Sequence, residues 1–324
     1  MLRIRSKRSV MKAITVAGFG AAPTLSEVAK PVAGQGEVLI KVVAAGINPF
    51  DWKVIDGIMK DQVKHDFPMI PGADGAGIVE AIGECVSALK PGDQVYGQFF
   101  KIPLGHGSYA EYIVMPQEGA IDIVPQNIEL EEAAALPTAA MAANGLIART
   151  GLSDGAVIFI VGATGGVGSF AVQIANSKGI YVIATASESA AEGIKALGAK
   201  EVIDHTKGNV AEQLKEKYPQ GIDALIDLVS DKDTFALLAT NVKSGGFALT
   251  TAFVADIAAL SKQNITGENF DLKANANALS IITQLVESGS IKLPPLQKVP
   301  LADAPKAIEE SRAGKTRGKI LLIP

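Results

Sequence analysis

Three features of the sequence predict an α/β fold built from an antiparallel barrel-like domain and a doubly wound parallel sheet. The first is the stretch AVIFIVGATGGVGSFAVQIA (Ala156 to Ala175), in which six apolar residues run into a glycine cluster and then into helically spaced apolar positions. The second is the recurrence of strand-like segments at βαβ spacing from there to Thr251. The third is the region from Met11 to about Pro125, where short strands are separated by Gly/Pro turns.

The stretch from Ala156 reads as a strand buried on both faces, because β-branched and apolar residues run without alternation. Glycines at 162, 165, 166 and 168 then let the backbone turn tightly. Phe170, Ala171, Ile174 and Ala175 mark the helix that follows. Strand, glycine turn and helix N-terminus are the parts of a dinucleotide pyrophosphate site, since exposed N–H groups at the helix start carry partial positive charge; the alternative reading is a plain tight turn between strand and helix. Thr164, Gly165, Gly166, Val167 and Gly168 are the candidate phosphate-cradling residues. In the G-x-G-x-x-G register Ala163, Gly165, Gly168, the first glycine is an alanine. The second strand, IYVIAT, ends at Thr185-Ala186-Ser187 rather than at an acid. A small hydroxyl at Ser187 leaves room for a 2′-phosphate and favours NADPH, although no cation adjoins it and the next ones are Lys195 and Lys207.

The composition narrows the function classes. At 324 residues the chain has room for two domains with their own cores. A net charge of −4 and a pI near 5.5 argue against nucleic acid as a partner. No apolar run in the sequence reaches bilayer-spanning length, so no membrane partner is expected. One cysteine excludes an intramolecular disulfide and is compatible with a cytoplasmic location. The first ten residues, MLRIRSKRSV, carry four cations and no acid. They read as an extension ahead of the strand MKAITV, with a targeting peptide as the alternative.

In chain order, GEVLIKVVAAGIN, GAGIVEAIGECV and GDQVYGQF are strands, while PGAD (71–74) and KPGD (90–93) are turns. LEEAAALPTAAMAANGLIA (130–148) is helical and broken at Pro137. The strands AVIFIV, IYVIAT, EVID, DALIDLV and GFALTT form the parallel sheet. After about Phe270 come two amphipathic helices, 276–289 and 304–314, and a closing strand, GKILLIP.

The motifs GINPFDWK (46–53), FPMIPGADGAGIVEAIG (67–83), KPGDQVYG (90–97), GSYAEYIV (107–114), GATGGVGSFAVQIA (162–175), ALGAKEVID (196–204) and RGKILL (317–322) together resemble the zinc-independent quinone oxidoreductases of the medium-chain dehydrogenase/reductase superfamily. The resemblance implies a discontinuous GroES-like catalytic domain (1–125 and 271–324) and a Rossmann NADPH-binding domain (126–270). It also implies a homodimer. Zinc-dependent relatives place a Cys where this chain has Asn48 and a His-Glu pair where it has Ala73-Asp74. Cys85, His65, His106 and His205 stand in unrelated motifs, so no zinc is expected. The reaction implied is NADPH-dependent hydride transfer to a quinone or an α,β-unsaturated carbonyl. Its alternatives are an enoyl reductase acting on an acyl or polyketide chain and a non-catalytic NADPH-binding protein.

Asn48 and Asp51 are the candidate catalytic residues. Asn48 is read as a hydrogen-bond partner of cofactor or substrate, or else as a turn residue before Pro49; Asp51 is read as a loop brace rather than a proton donor. Relatives often bind the cofactor phosphate through a Lys, missing here, and a Tyr, replaced by His205, which is read as stacking on adenine, as meeting the phosphate at low pH, or as an exposed loop residue. Lys315, Arg317 and Lys319 are further cations that either reach the cofactor or lie solvated, and Val229 and Phe253 complete the cofactor candidates. Phe50, Trp52, Phe99 and Phe100 are read as core or as an apolar wall for a planar substrate. Tyr109 and Tyr112 are assigned to one sheet face.

Overall fold

The computed structural model describes residues 9–316 and 318–324. Residues 1–8 of the expected extension and Arg317 lie outside them. The elements through the first half are β1 (Val10–Thr15), β2 (Thr24–Ala29), β3 (Glu37–Gly46), α1 (Pro49–Ile55), β4 (His65–Ile70), β5 (Asp74–Ile82), β6 (Gln94–Gln98), β7 (Leu104–His106), β8 (Tyr112–Pro116) and β9 (Ala120–Ile123). After a short 3₁₀ turn at Glu132–Ala135 come α2 (Pro137–Thr150), β10 (Val157–Val161), α3 (Gly166–Ser177), β11 (Tyr181–Thr185), α4 (Glu188–Ala196), β12 (Glu201–Ile203) and α5 (Val210–Lys217). The chain continues through β13 (Ile222–Asp227), α6 (Lys232–Ala239), β14 (Val242–Thr250), α7 (Ile257–Lys262), β15 (Thr266–Asn269), α8 (Ala276–Glu287), β16 (Leu296–Pro300), α9 (Ala304–Arg312) and β17 (Lys319–Ile323).

Two compact units result. The first comprises the chain up to Thr138 together with Ala274–Glu287 and Pro295–Pro324; the second comprises Ala139–Lys273 and Ser288–Pro294. The first boundary falls after Thr138 rather than after Pro125, because the 3₁₀ turn packs on β3, β5 and β17. Pro137 opens α2 instead of breaking a helix, as suits a residue with no N–H to donate. Ser288–Pro294 rejoins the second unit through a two-point contact, with Lys292 N donating to Gln173 Oε1 at 2.8 Å and Gln173 Nε2 to the Lys292 carbonyl at 3.1 Å.

In the first unit a sheet of order β16-β17-β3-β5-β6-β9 carries β8 on β3, with two small sheets, β1-β2 and β4-β7, beside it. The pairings within the large sheet are antiparallel except β16 with β17. β3 is its organising strand: ten residues, EVLIKVVAAG, with all but Glu37, Lys41 and Val43 buried. The closing strand β17 pairs with the end of β3, Leu321 opposite Gly46 and Leu322 opposite Ala45. That register directs Lys319 to the loop after β3, while Asp74 starts β5 opposite Gly46.

In the second unit the six parallel strands run β12-β11-β10-β13-β14-β15, the doubly wound order whose direction of winding reverses between β10 and β13. The sixth strand, β15, was not expected: its sequence TGEN is short, polar and at the sheet edge, so it carries no hydrophobic period.

Gly46 marks how closely the first unit is packed around the end of β3. A Cβ there would lie 2.2 Å from the Ala134 carbonyl oxygen and 3.3 Å from Asp74 Cβ. Gly46→Ala is therefore expected to lower stability by about 1–3 kcal/mol through overpacking, measurable as a fall in the denaturant midpoint at unchanged m-value.

Candidate active site

The glycine turn in the second unit is built as the pyrophosphate argument requires. Gly162 at the end of β10 has φ +83°, and its N–H donates to Thr185 Oγ1 at 3.1 Å, tying the ends of β10 and β11. The tight-turn glycine is thus Gly162, one residue before the Ala163 of the sequence register, and Ala163 is fully buried. Gly165 is the N-cap of α3 and has no side chain to cap it. The first helical bond is Ser169 N–H to the Gly165 carbonyl at 2.9 Å, and among the described residues no side chain caps the donors ahead of it.

The glycines divide the labour. A Cβ on Gly165 would meet only the Gly162 oxygen at 3.4 Å, which is ordinary contact. A Cβ on Gly168 would lie 2.2 Å from that oxygen and 2.6 Å from Ala163 Cα. Gly168 therefore permits helix and strand to pack, whereas Gly165 leaves space on the outside of the turn. A diphosphate fits this arrangement.

The other cofactor candidates surround the same end of the sheet. Thr164 and Gly165 are exposed, and Gly166 and Val167 half-buried. Ser187 is the N-cap of α4 and half-buried, with its hydroxyl 3.2 Å from that of Ser189. His205 is exposed after β12. Lys207, two residues on, pairs with Glu188 at 2.9 Å, so a cation does stand beside the Ser187 corner. Val229 and Phe253 follow β13 and β14 with relative exposures of 67% and 61%, and Phe253 holds a left-handed backbone (φ +61°). Val229 lies against the glycine turn, where a Cβ on Gly162 would sit 3.0 Å from its Cγ1.

The first unit holds a second polar constellation, and it is buried. Asn48 caps α1, whose third residue is Asp51. Asp51 Oδ2 accepts from the Asn48 N–H at 2.7 Å and from the Tyr109 hydroxyl at 2.7 Å, and Asp51 Oδ1 from the Ala73 N–H at 3.0 Å. Asn48 Nδ2 donates to Asp74 Oδ2 at 2.8 Å, while Asn48 Oδ1 accepts from Lys319 Nζ at 2.6 Å. Lys319 also donates to the Ile47 carbonyl at 3.1 Å. Asp74 is further bonded by the Thr138 N–H and hydroxyl, at 3.1 and 2.6 Å. All of these groups except Thr138 are at least nine-tenths buried. Loss of hydration pushes Asp51 up to about 6, against the opposing pull of Tyr109 and the Asn48 N–H. Burial likewise raises Asp74, against the pull of the Lys319 charge. It also lowers Lys319, against both carboxylates, and it pushes Tyr109 well up.

Several sequence expectations are revised by this geometry. Lys319 is neither solvated nor available at the surface: its ammonium is engaged and its residue 4% exposed. Lys315 is exposed. Tyr109 precedes β8 instead of sharing a strand face with Tyr112, and its hydroxyl is committed to Asp51. The aromatic set divides. Phe50, Phe99 and Phe100 line a cleft with Asp51, Gly72 and His106, and the rings of Phe50 and Phe100 lie 5.8 Å apart. Trp52 is not in its lining; its ring lies under the Arg312 guanidinium at 5.2 Å. The cleft is small, about 30 Å³. Sequence reasoning missed Asp74, Tyr109 and Thr138 as members of the network: Asp74 sat in a turn signal, and only strand register brings the three together. Among the described residues no three His, Cys, Asp or Glu side chains gather to hold a metal.

Two predictions follow from these sites. Gly165→Val is expected to leave a folded protein that has lost NADPH binding, and Gly168→Val to unfold the second unit, as read by fluorescence titration and by melting. For Asp51, the folded carboxyl titrates above its unfolded value of 3.8, so the stability it contributes is fully present below that value and is lost as pH rises through about 6. Tyr109→Phe removes a donor to the ionised form. It should cost about 1.5–3 kcal/mol at pH 8 and less at pH 5, where Asp51 is largely protonated.

Comparison with known proteins gives this geometry its family. Residues 34–125 match the alcohol dehydrogenase GroES-like domain, and residues 197–322 match the family described as zinc-binding dehydrogenase. The chain is 33% identical to the chloroplastic NADPH-dependent alkenal/one oxidoreductase of Arabidopsis thaliana, over 97% of this chain and 80% of that protein. It is also 33% identical to 2-methylene-furan-3-one reductase of Solanum lycopersicum, over 98% and 80%. The solved quinone oxidoreductase of Coxiella burnetii superposes with a TM-score of 0.87 at 28% identity, covering 98% of this chain and all of that one. With its doubly wound nucleotide sheet and its β3-centred antiparallel unit, the chain belongs to the quinone oxidoreductase family of the medium-chain dehydrogenase/reductase superfamily.

Proposed function

We propose that this protein is an NADPH-dependent, metal-free reductase of quinones or α,β-unsaturated carbonyls. The observation that carries the reading is the glycine turn, whose uncapped helix start and open Gly165 fit a dinucleotide diphosphate. Relatives named for alkenal, furanone and quinone reduction support the acceptor class.

Ser187 and the neighbouring Lys207 would receive the 2′-phosphate, His205 would border the adenosine, and Val229 and Phe253 would cover the cofactor's apolar faces. When bound, NADPH supplies a hydride. In the first unit Asn48 would donate an amide N–H to the acceptor's carbonyl oxygen, where negative charge builds during reduction. Phe50, Phe99 and Phe100 would hold the planar acceptor and exclude water. Asp51 braces the loop: its two oxygens already accept three hydrogen bonds. Protonation of the product falls to solvent, because Tyr109 is buried and donates to Asp51. The donor set at Asn48, an amide facing an ammonium, supports metal-free chemistry, since a metal ion and a lysine ammonium compete for the same oxygen. A homodimer in a reducing compartment such as the cytoplasm is the proposed setting; Cys85 is a free thiol.

The test is NADPH oxidation, with NADH in parallel, against a quinone, a set of enones and an enoyl thioester. Enone or quinone turnover with NADPH preferred is the expected result. Tight NADPH binding with no turnover on quinone or enone would overturn the acceptor assignment, and turnover confined to the thioester would replace it with acyl reduction. Equal use of NADH would overturn the Ser187 argument.

A further inference from the structure

We propose that Lys319 is a positioning residue of the acceptor site: its ammonium fixes the Asn48 amide in one orientation. The inference rests on the proposed role of Asn48 as the donor to the acceptor.

Asn48 is gripped at both ends of its amide. Its oxygen accepts from the Lys319 ammonium at 2.6 Å, and its nitrogen donates to the Asp74 carboxylate at 2.8 Å. Turning the amide by half a revolution would set NH₂ against ammonium and carbonyl against carboxylate, so both contacts would become repulsive. The orientation is therefore fixed by charge. It leaves the second Nδ2 hydrogen without a partner among the described residues, and this is the donor an acceptor oxygen can use.

The ammonium is itself held as an ion would be. It binds two oxygens, Asn48 Oδ1 and the Ile47 carbonyl, and its charge faces Asp51 from α1 and Asp74 from β5, with the Tyr109 hydroxyl beyond Asp51. Lys319 reaches this place because β17 pairs with β3 in the register that sets Leu321 opposite Gly46. Removing the ammonium would leave two buried carboxylates without a counter-charge and the Asn48 oxygen without a donor. The amide would then be held at its Asp74 end alone.

The test uses the full chain with Lys319→Met, Lys319→Arg and Lys319→Ala. Lys319→Met is expected to lower kcat by at least roughly tenfold, with the NADPH Kd within about twofold of wild type. Lys319→Arg should retain part of the activity, and ethylamine should restore Lys319→Ala saturably by refilling the cation position. Wild-type kcat in Lys319→Met, or no response of Lys319→Ala to ethylamine, would overturn the proposal. So would weakened NADPH binding with kcat intact at saturation, which would make Lys319 a cofactor-phosphate group. If Lys319→Met does not fold, the charge-balanced pair Lys319→Met/Asp74→Asn takes its place with the same expectation for kcat. If wild type reduces neither quinones nor enones, the functional reading fails on its own. The positioning is then read from the Asn48 side-chain NH₂ resonances, assigned by their loss in Asn48→Leu. They should shift and broaden in Lys319→Met, and unchanged signals would overturn the proposal.

Discussion

Two carboxylates and one ammonium, none more than 4% exposed, meet beneath the loop that follows β3. Burying three charges is costly unless each finds partners, and here each does. Asp51 has three donors, Asp74 is held by Asn48 and Thr138, and Lys319 is held by Asn48 and Ile47. The arrangement draws on distant parts of the chain: α1, the start of β5, the segment before β8, the start of α2 and the last strand. The first unit must therefore be closed by β17 before the site exists. Its discontinuity in sequence brings Lys319 of the last strand to Asn48.

The second unit follows a different logic. Where the winding of the parallel sheet reverses, the strand ends carry glycines, small hydroxyls and two exposed apolar side chains. Gly162 supplies the turn, Gly168 the close packing of α3 on β10, and Gly165 the open space. Each glycine answers a separate steric demand. For that reason a shift of one residue in the first position of the fingerprint leaves the site intact.

The two units differ accordingly in how they treat polar groups. The start of α3 has no side-chain cap among the described residues, which suits the proposed diphosphate. Among the described residues the Asn48 end pairs most of its donors and acceptors, leaving one Asn48 amide hydrogen and one Lys319 ammonium hydrogen over. An acceptor that needs one well-aimed hydrogen bond and a dry apolar wall matches the second pattern, since fixed dipoles in a water-poor setting act more strongly than mobile ones.

Local sequence was sufficient for the strand-turn-helix at Val157–Ser177, five of the six parallel strands, the amphipathic α8 and α9, and the closing strand, because each carries its own period or its own glycine. It also named Asn48, Asp51 and Thr164 to Gly168 as site candidates; the first two lie in the buried network of the first unit and the others at the glycine turn of the second. It missed β15, whose four residues TGEN have no apolar period. Nor did it separate Trp52 from the phenylalanines, since residues two apart on α1 point in different directions. The partnership of Lys319, Asn48, Asp74 and Tyr109 was decided by tertiary structure alone. Strand register and burial determine which charges meet, and neither is written in the identity of any single residue.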